Sequence, residues 1–146
     1  DCVEDICFRL ADALGLFWEV RGHFSEGRER LSTLLGMENF RARTAERAEL
    51  LARAAELAYR QSDYPATTAL AGESLSICRE IGDKQGVASA LVKLGNTATE
   101  VGDYQTAPIQ LEEALAIWRE LGPSLFDFLS KGIFQPARPT SKSITI

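Results

Sequence analysis

The sequence predicts an all-α solenoid of three helical hairpins, followed by a partial fourth hairpin or a capping helix. Three observations carry this: turn motifs that return every forty residues, small and leucine positions in the same register, and apolar residues at helical spacing between them. The turns are Gly22-His23-Phe24, Ser62-Asp63-Tyr64 and Gly102-Asp103-Tyr104. A small residue permits a tight helix–helix turn. The aromatic after it is expected to fold back across both helices and fill the apex. Gly15, Ala55 and Gly95 are small where the first helix of each hairpin approaches its partner, preceded by Leu14, Ala54 and Leu94. Leu35, Leu75 and Leu115 recur in the second helix, with Leu31, Ala71 and Leu111 one turn earlier. Such self-similarity marks stacked repeats that bury one continuous core.

The first helices are expected at 5–21, 44–61 and 86–101, the second at 25–36, 65–81 and 105–121. After the first hairpin, Gly36 to Arg43 forms an irregular linker in which Asn39 and Phe40 cap and staple the next helix, Thr44 being the alternative cap. In the middle hairpin Leu50, Leu51, Ala54, Leu57 and Ala58 face Leu70, Leu75, Ile77, Cys78 and Ile81. Gly82 to Gly86 is expected as a linker, since it lacks the glycine-rich cradle and Lys-Ser/Thr of a phosphate loop. In the third hairpin Val87, Leu91, Leu94 and Ala98 share a face opposite Ile109, Leu111, Leu115, Trp118 and Leu121. Pro65 and Pro108 fall where a missing N–H costs least, Asp63 and Asp103 cap the helices that follow, and Gly82 and Gly122 suit left-handed helix ends. The repeats divide as 8–43, 44–85 and 86–122 within a domain of 1–122. A capping or truncated helix follows at 123–135, then a flexible tail at 136–146. The apolar residues Leu125, Phe126, Phe128 and Leu129 would shield the last hairpin's edge, and, left exposed, would offer a homodimer contact through the C-terminal end.

With 45% hydrophobic and 25% charged residues among 146, the chain has the composition of a folded globular protein. Its net charge of -5, with bases interleaved among acids, gives no basic patch for nucleic acid. No apolar stretch is long enough to span a membrane. The opening Asp1-Cys2-Val3-Glu4 reads as a fragment of a longer protein. Cys78 lies in an apolar stripe and is expected to be a buried thiol, and Cys2 and Cys7 read as reduced thiols of a cytoplasmic protein rather than a disulfide.

Three stretches align in register. They are Leu94-Gly95, Ala98, Gly102-Asp103-Tyr104, Ala107, Leu111 and Ala114-Leu115; Ala54-Ala55, Ala58, Ser62-Asp63-Tyr64, Thr67, Ala71 and Ser74-Leu75; and Leu14-Gly15, Trp18, Gly22-His23-Phe24, Gly27, Leu31 and Leu34-Leu35. Over about residues 8–122 they resemble the tetratricopeptide repeat (TPR) family, in a forty-residue variant longer than its commonest unit. The resemblance implies a right-handed α-α superhelix that binds protein or peptide. Leu14-Gly15-Leu16-Phe17-Trp18 through Gly27-Arg28 looks like the start of the TPR-like region in large bacterial regulators. There such repeats follow a STAND-type ATPase module, often with a DNA-binding domain of the LuxR or SARP type. It implies the sensor or autoinhibitory arm of a transcriptional or signalling regulator, or alternatively an independent peptide-binding adaptor for chaperone or secretion partners.

In a TPR-like solenoid the first helices line the concave face. Helical phase then nominates Arg9, Asp12, Leu16, Glu19 and Val20 in the first repeat, and Glu49, Ala52, Glu56, Tyr59 and Arg60 in the second. The third contributes Ser89, Val92, Lys93, Asn96, Thr99 and Glu100. This mixed, somewhat acidic groove suits a segment with basic and apolar groups. Lys93 and Asn96 fall at the carboxylate-clamp columns of chaperone adaptors, but Glu56 in the matching column would repel a carboxylate. Trp18 and Trp118 read as packing anchors, Trp118 also as cover for the edge of the stack, and Tyr59 as either an exposed contact or part of the core. No catalytic residue, cofactor site or metal site is expected. The lone His23 occupies a turn column held by aspartates, with no nucleophile paired to it, and Glu112-Glu113 has no Glu-x-x-His companion.

Overall fold

The computed structural model describes residues 2–122. Six α-helices follow in order: α1 (Cys2–Arg21), α2 (Phe24–Gly36), α3 (Ala45–Arg60), α4 (Tyr64–Ile81), α5 (Lys84–Glu100) and α6 (Thr106–Leu121). A 3-10 turn, Glu38–Phe40, lies between α2 and α3. Each odd helix packs antiparallel against the even helix after it, and α3 and α5 also pack on both helices of the hairpin before them. The first helices α1, α3 and α5 thus stand side by side, backed by the second helices, which is the TPR-like solenoid expected. The segments 123–135 and 136–146 lie outside the described residues.

One local device ends four helices. Gly22, Ser62, Gly82 and Gly102 all have positive φ, at 75°, 58°, 74° and 82°. The next residue's N–H returns to a carbonyl five positions back: His23 to Trp18, Asp63 to Ala58, Asp83 to Cys78 and Asp103 to Ala98, at 2.8–3.0 Å. This closure satisfies helix-end carbonyls and favours glycine, so Ser62 holds its place against a steric cost. Asp63 and Asp83 then cap the following helix through Oδ1, which accepts from the amide nitrogens of Ala66 and Gly86 at 3.2 and 3.0 Å. Asp103 accepts likewise from Thr106 at 3.1 Å, but two residues ahead of the α6 N-cap, Gln105. His23 makes no such bond.

Four boundary expectations change. The linker after α4 is Gly82-Asp83 alone, because Asp83 caps a helix that already includes Lys84 to Gly86. Thr44, not Asn39, caps α3 by accepting from the Arg47 amide at 3.3 Å, and Phe40 is buried beneath the linker. Gly122 has φ 99° and ψ 162°, which is not a left-handed helical end. The α6 ladder begins at Thr106, two residues later in register than α4. Pro108 has no N–H to donate to the Tyr104 carbonyl, so Tyr104 stays outside the helix. Its ring is 73% exposed and does not fill the apex as expected, whereas Phe24 and Tyr64 are half-buried.

Two contiguous apolar clusters form the core. One joins α1, α2 and α3 through Ala11, Trp18, Leu31, Leu50, Ala54 and Leu57. The other joins α3 to α6 through Leu51, Ala55, Leu75, Ile77, Cys78, Val87, Leu91 and Leu94. Within the hairpins, the facing pair at the turn differs in size from one repeat to the next. Trp18 stands over Gly27 in the first, where the second pairs Ala58 with Thr67 and the third Ala98 with Ala107. A Cβ on Gly27 would come within 2.7 Å of Leu57 and 2.9 Å of Trp18. Gly95 is likewise a close approach, 2.7 Å from Leu111, but Gly15 faces only the side chain of Arg53 on α3 at 3.5 Å. Ile81 and Ile109, expected to face the core, are 43% and 66% exposed. Trp118 packs half-buried against the second cluster, and its indole nitrogen is buried without a hydrogen-bond partner among the described residues.

Candidate functional site: the face of the first helices

The nominated residues of α1, α3 and α5 lie on one continuous face, and most of the charged ones bond across the helices. Arg53 donates from Nε and Nη2 to Asp12 Oδ1 at 3.0 and 2.7 Å. Arg60 donates to Glu19 at 3.0 Å and, along its own helix, to Glu56 at 2.9 Å. Glu56 also accepts from Lys93, whose ammonium sits 4.6 Å from the centre of the Tyr59 ring. Tyr59 donates to Glu100 at 3.4 Å and meets Tyr64 edge-on at 6.0 Å. A chain of polar contacts therefore runs from Glu19 through Arg60, Glu56, Lys93 and Tyr59 to Glu100. The cation over the ring adds an attraction to the phenol face.

The electrostatics follow from these contacts. Burial pushes the Glu56 carboxyl upward, but Lys93 and Arg60 outweigh it and hold it below the usual carboxylate range. Tyr59 moves upward, first through burial and then through the Glu100 charge. Arg60 is raised by its hydrogen bond to Glu56. On the outer side, Asp63 is lowered chiefly by Arg28, which donates to it at 2.7 Å and to Gln61 at 2.8 Å. Cys78 is buried and its thiol is pushed up by that burial.

What is left without a cross-helix bond on the face is a mixture. Leu16 and Val20 are 57% and 74% exposed at the α1 end, and Arg9, Glu49, Ala52, Ser89, Asn96 and Thr99 are also exposed. Val92 is half-buried. Lys93 is engaged by Glu56 and Tyr59, so with Asn96 it does not present the cationic pocket that a terminal carboxylate needs. The residues that sequence reasoning did not nominate are arginines at the hairpin joints. Arg47 ties the linker down by donating to the Leu35 and Phe40 carbonyls at 3.0 and 2.7 Å, and pairs with Glu73 at 2.8 Å. With Arg28, Leu35 and Leu70 it lines a groove of about 330 Å³ between α2 and α4.

Among the described residues, no group of three or more His, Cys, Asp or Glu is placed to hold a metal ion. No described helix is long and apolar enough to cross a membrane. His23 is exposed and stacks on Phe17 with ring centres 6.1 Å apart. Cys7 and Cys78 are free thiols.

A comparison with curated proteins returned no match. A family model described as tetratricopeptide repeat matches residues 46–120, more than half of the chain, and spans the second and third hairpins. Repeats of this kind form non-catalytic helical surfaces that mediate protein–protein interaction. With its hairpins stacked in register and its first helices aligned on one face, the chain belongs to the tetratricopeptide repeat family.

Proposed function

We propose that this chain is the regulatory or sensor arm of a bacterial transcriptional or signalling regulator, acting in the cytoplasm without catalysis of its own. Its partner is a protein segment, including another domain of the same polypeptide, that lies along the α1–α3–α5 face. The observation that supports this most is the division of labour on that face. The internal charges are neutralised by the cross-helix pairs, and the exposed remainder is apolar at Leu16 and Val20 and carries the acids Glu49 and Glu100 beside the base Arg9. A segment carrying apolar anchors and basic side chains complements such a surface. The resemblance of Leu14 to Arg28 to the repeat arms of STAND-type regulators supports the regulator over a free-standing adaptor. The engagement of Lys93 speaks against adaptor-type recognition of a C-terminal carboxylate. The homodimer expected through the C-terminal end falls on residues outside those described and is no part of this reading.

The test has two arms. A peptide array over the full chain should retain peptides with both basic and apolar residues. Leu16→Glu and Asn96→Lys should abolish that retention, while Ile109→Glu, on α6, leaves it intact. Placed back in its parent regulator, Leu16→Glu should change transcriptional output. Retention indifferent to the first-helix substitutions would overturn the assignment of this face.

A further inference from the structure

We propose that a second copy of this chain seats its third hairpin on the outward side of α1, head to tail, continuing the stack. The side of α1 away from its own hairpin is apolar and open: Leu10 is 57% exposed and Phe17 48%. The repeat shows what covers these columns elsewhere. Leu50 and Leu57, forty residues on, are 1% and 2% exposed, and Ala90 and Thr97, forty further, are 6% and 2%. In α3 and α5 the preceding hairpin lies against the helix. The surface that fits α1 is therefore a hairpin of this same type.

The occupant is narrowed to this chain by the pairing rule along the first helices. At the first junction Asp12 meets Arg53 and Glu19 meets Arg60, each a step of forty-one residues. One repeat on, the same step joins Tyr59 to Glu100. Carried on from α5, it sets Val92 against Ala13 and Thr99 against Val20 of the next copy. Where α3 carries Arg53 and Arg60, α1 carries alanine and valine. Where α1 offers Asp12 and Glu19 to its successor, α5 offers valine and threonine. The change occurs on both sides together, so no charge is buried unpaired at the new junction. On the second-helix side, Leu75 is 9% exposed beneath α5, while its equivalent Leu115 on α6 is 37% exposed. The two ends differ, so the contact is heterologous: it does not close after two copies, and growth continues with concentration.

Sedimentation velocity of the full chain across micromolar to millimolar concentration tests this. The weight-average mass should rise past that of a dimer. Leu10→Glu on α1 and Leu115→Glu on α6 should each lower the association constant at least about thirtyfold, the effect of losing one dominant anchor. Each variant keeps a different intact end, so an equimolar mixture should form pairs and stop there. Should Leu115→Glu lose helicity by circular dichroism, Thr99→Glu, at an exposed position of α5, takes its place. A constant monomer mass, as when the chain's own C-terminal segment covers an end, overturns the proposal. So does association that survives Leu10→Glu, or a mixture that fails to pair.

Discussion

Between the first and second hairpins, Asp12 reaches Arg53 and Glu19 reaches Arg60; one repeat later the same columns hold Ala52 with Lys93 and Tyr59 with Glu100. Lys93, left without an acid in its own column, turns to Glu56 and to the ring of Tyr59. Beneath these rims the cores differ too. The first hairpin sets one large indole over a glycine, whereas the others set alanine over threonine or alanine over alanine. A repeat thus conserves the neutrality of a junction, while the residues and the combined volume of a facing pair vary. Helix spacing is a property of the pair, since close packing leaves no slack for one partner to change alone.

The largest test of that comparison is Trp18→Ala, which leaves a cavity above Gly27 and should cost about 3–5 kcal/mol by chemical denaturation. Adding Gly27→Thr to it recreates the second hairpin's alanine–threonine pairing. The double variant should recover at least about 1 kcal/mol, measured as a coupling energy in a double-mutant cycle. Simple additivity would show that the two positions do not trade volume. Alone, Gly27→Ala should destabilise by about 1–3 kcal/mol, because its new methyl meets a buried Leu57 and the buried Trp18. Gly95→Ala should cost less, since the half-buried Leu111 has room to yield. Smaller and opposite in sign, Ser62→Gly should raise stability by about 0.5–1 kcal/mol by relieving its positive φ, as Gly22 and Gly102 already do.

The polar rims give the weakest effects. Because Glu56 is held below its usual range, the folded state binds fewer protons there than the unfolded state. Its contribution is fully present above the ordinary carboxylate value and fades as pH falls through the lowered one. Thermal melts between about pH 6 and pH 3 should therefore show a shallower loss in Glu56→Gln than in the parent chain. The half-exposed Asp12–Arg53 pair should couple by only about 0.2–1 kcal/mol and weaken in salt.

The hairpins were legible because their signals are local. A small residue in the left-handed region, an aspartate after it and a helical apolar stripe each act within a few positions. The same locality explains the misreadings. Gly86 looked like a breaker, yet its N–H is the donor that Asp83 needs to start α5. Pro108 does fall in the first turn of α6 as expected, but it stands five residues from Asp103 where Pro65 stands two from Asp63, which delays α6 and leaves Tyr104 outside, against expectation. The ladder on the first-helix face was not readable at all. Its pairs are forty-one or thirty-seven residues apart, not forty, and that offset comes from how neighbouring helices slide along each other. Arg28 and Arg47 escaped for a related reason: their partners are a turn carboxylate and linker carbonyls, which no periodicity announces.

The chain's two tryptophans stand at opposite ends of the stack, Trp18 in the first hairpin and Trp118 in the third, with none between. Trp18 is almost wholly enclosed by carbon, while Trp118 is only half-buried. Their fluorescence therefore comes from two distinct surroundings, and replacing either with phenylalanine isolates the other. Loosening that begins at one end would shift one emission before the other, so the protein carries its own optical record of the direction in which the stack unzips.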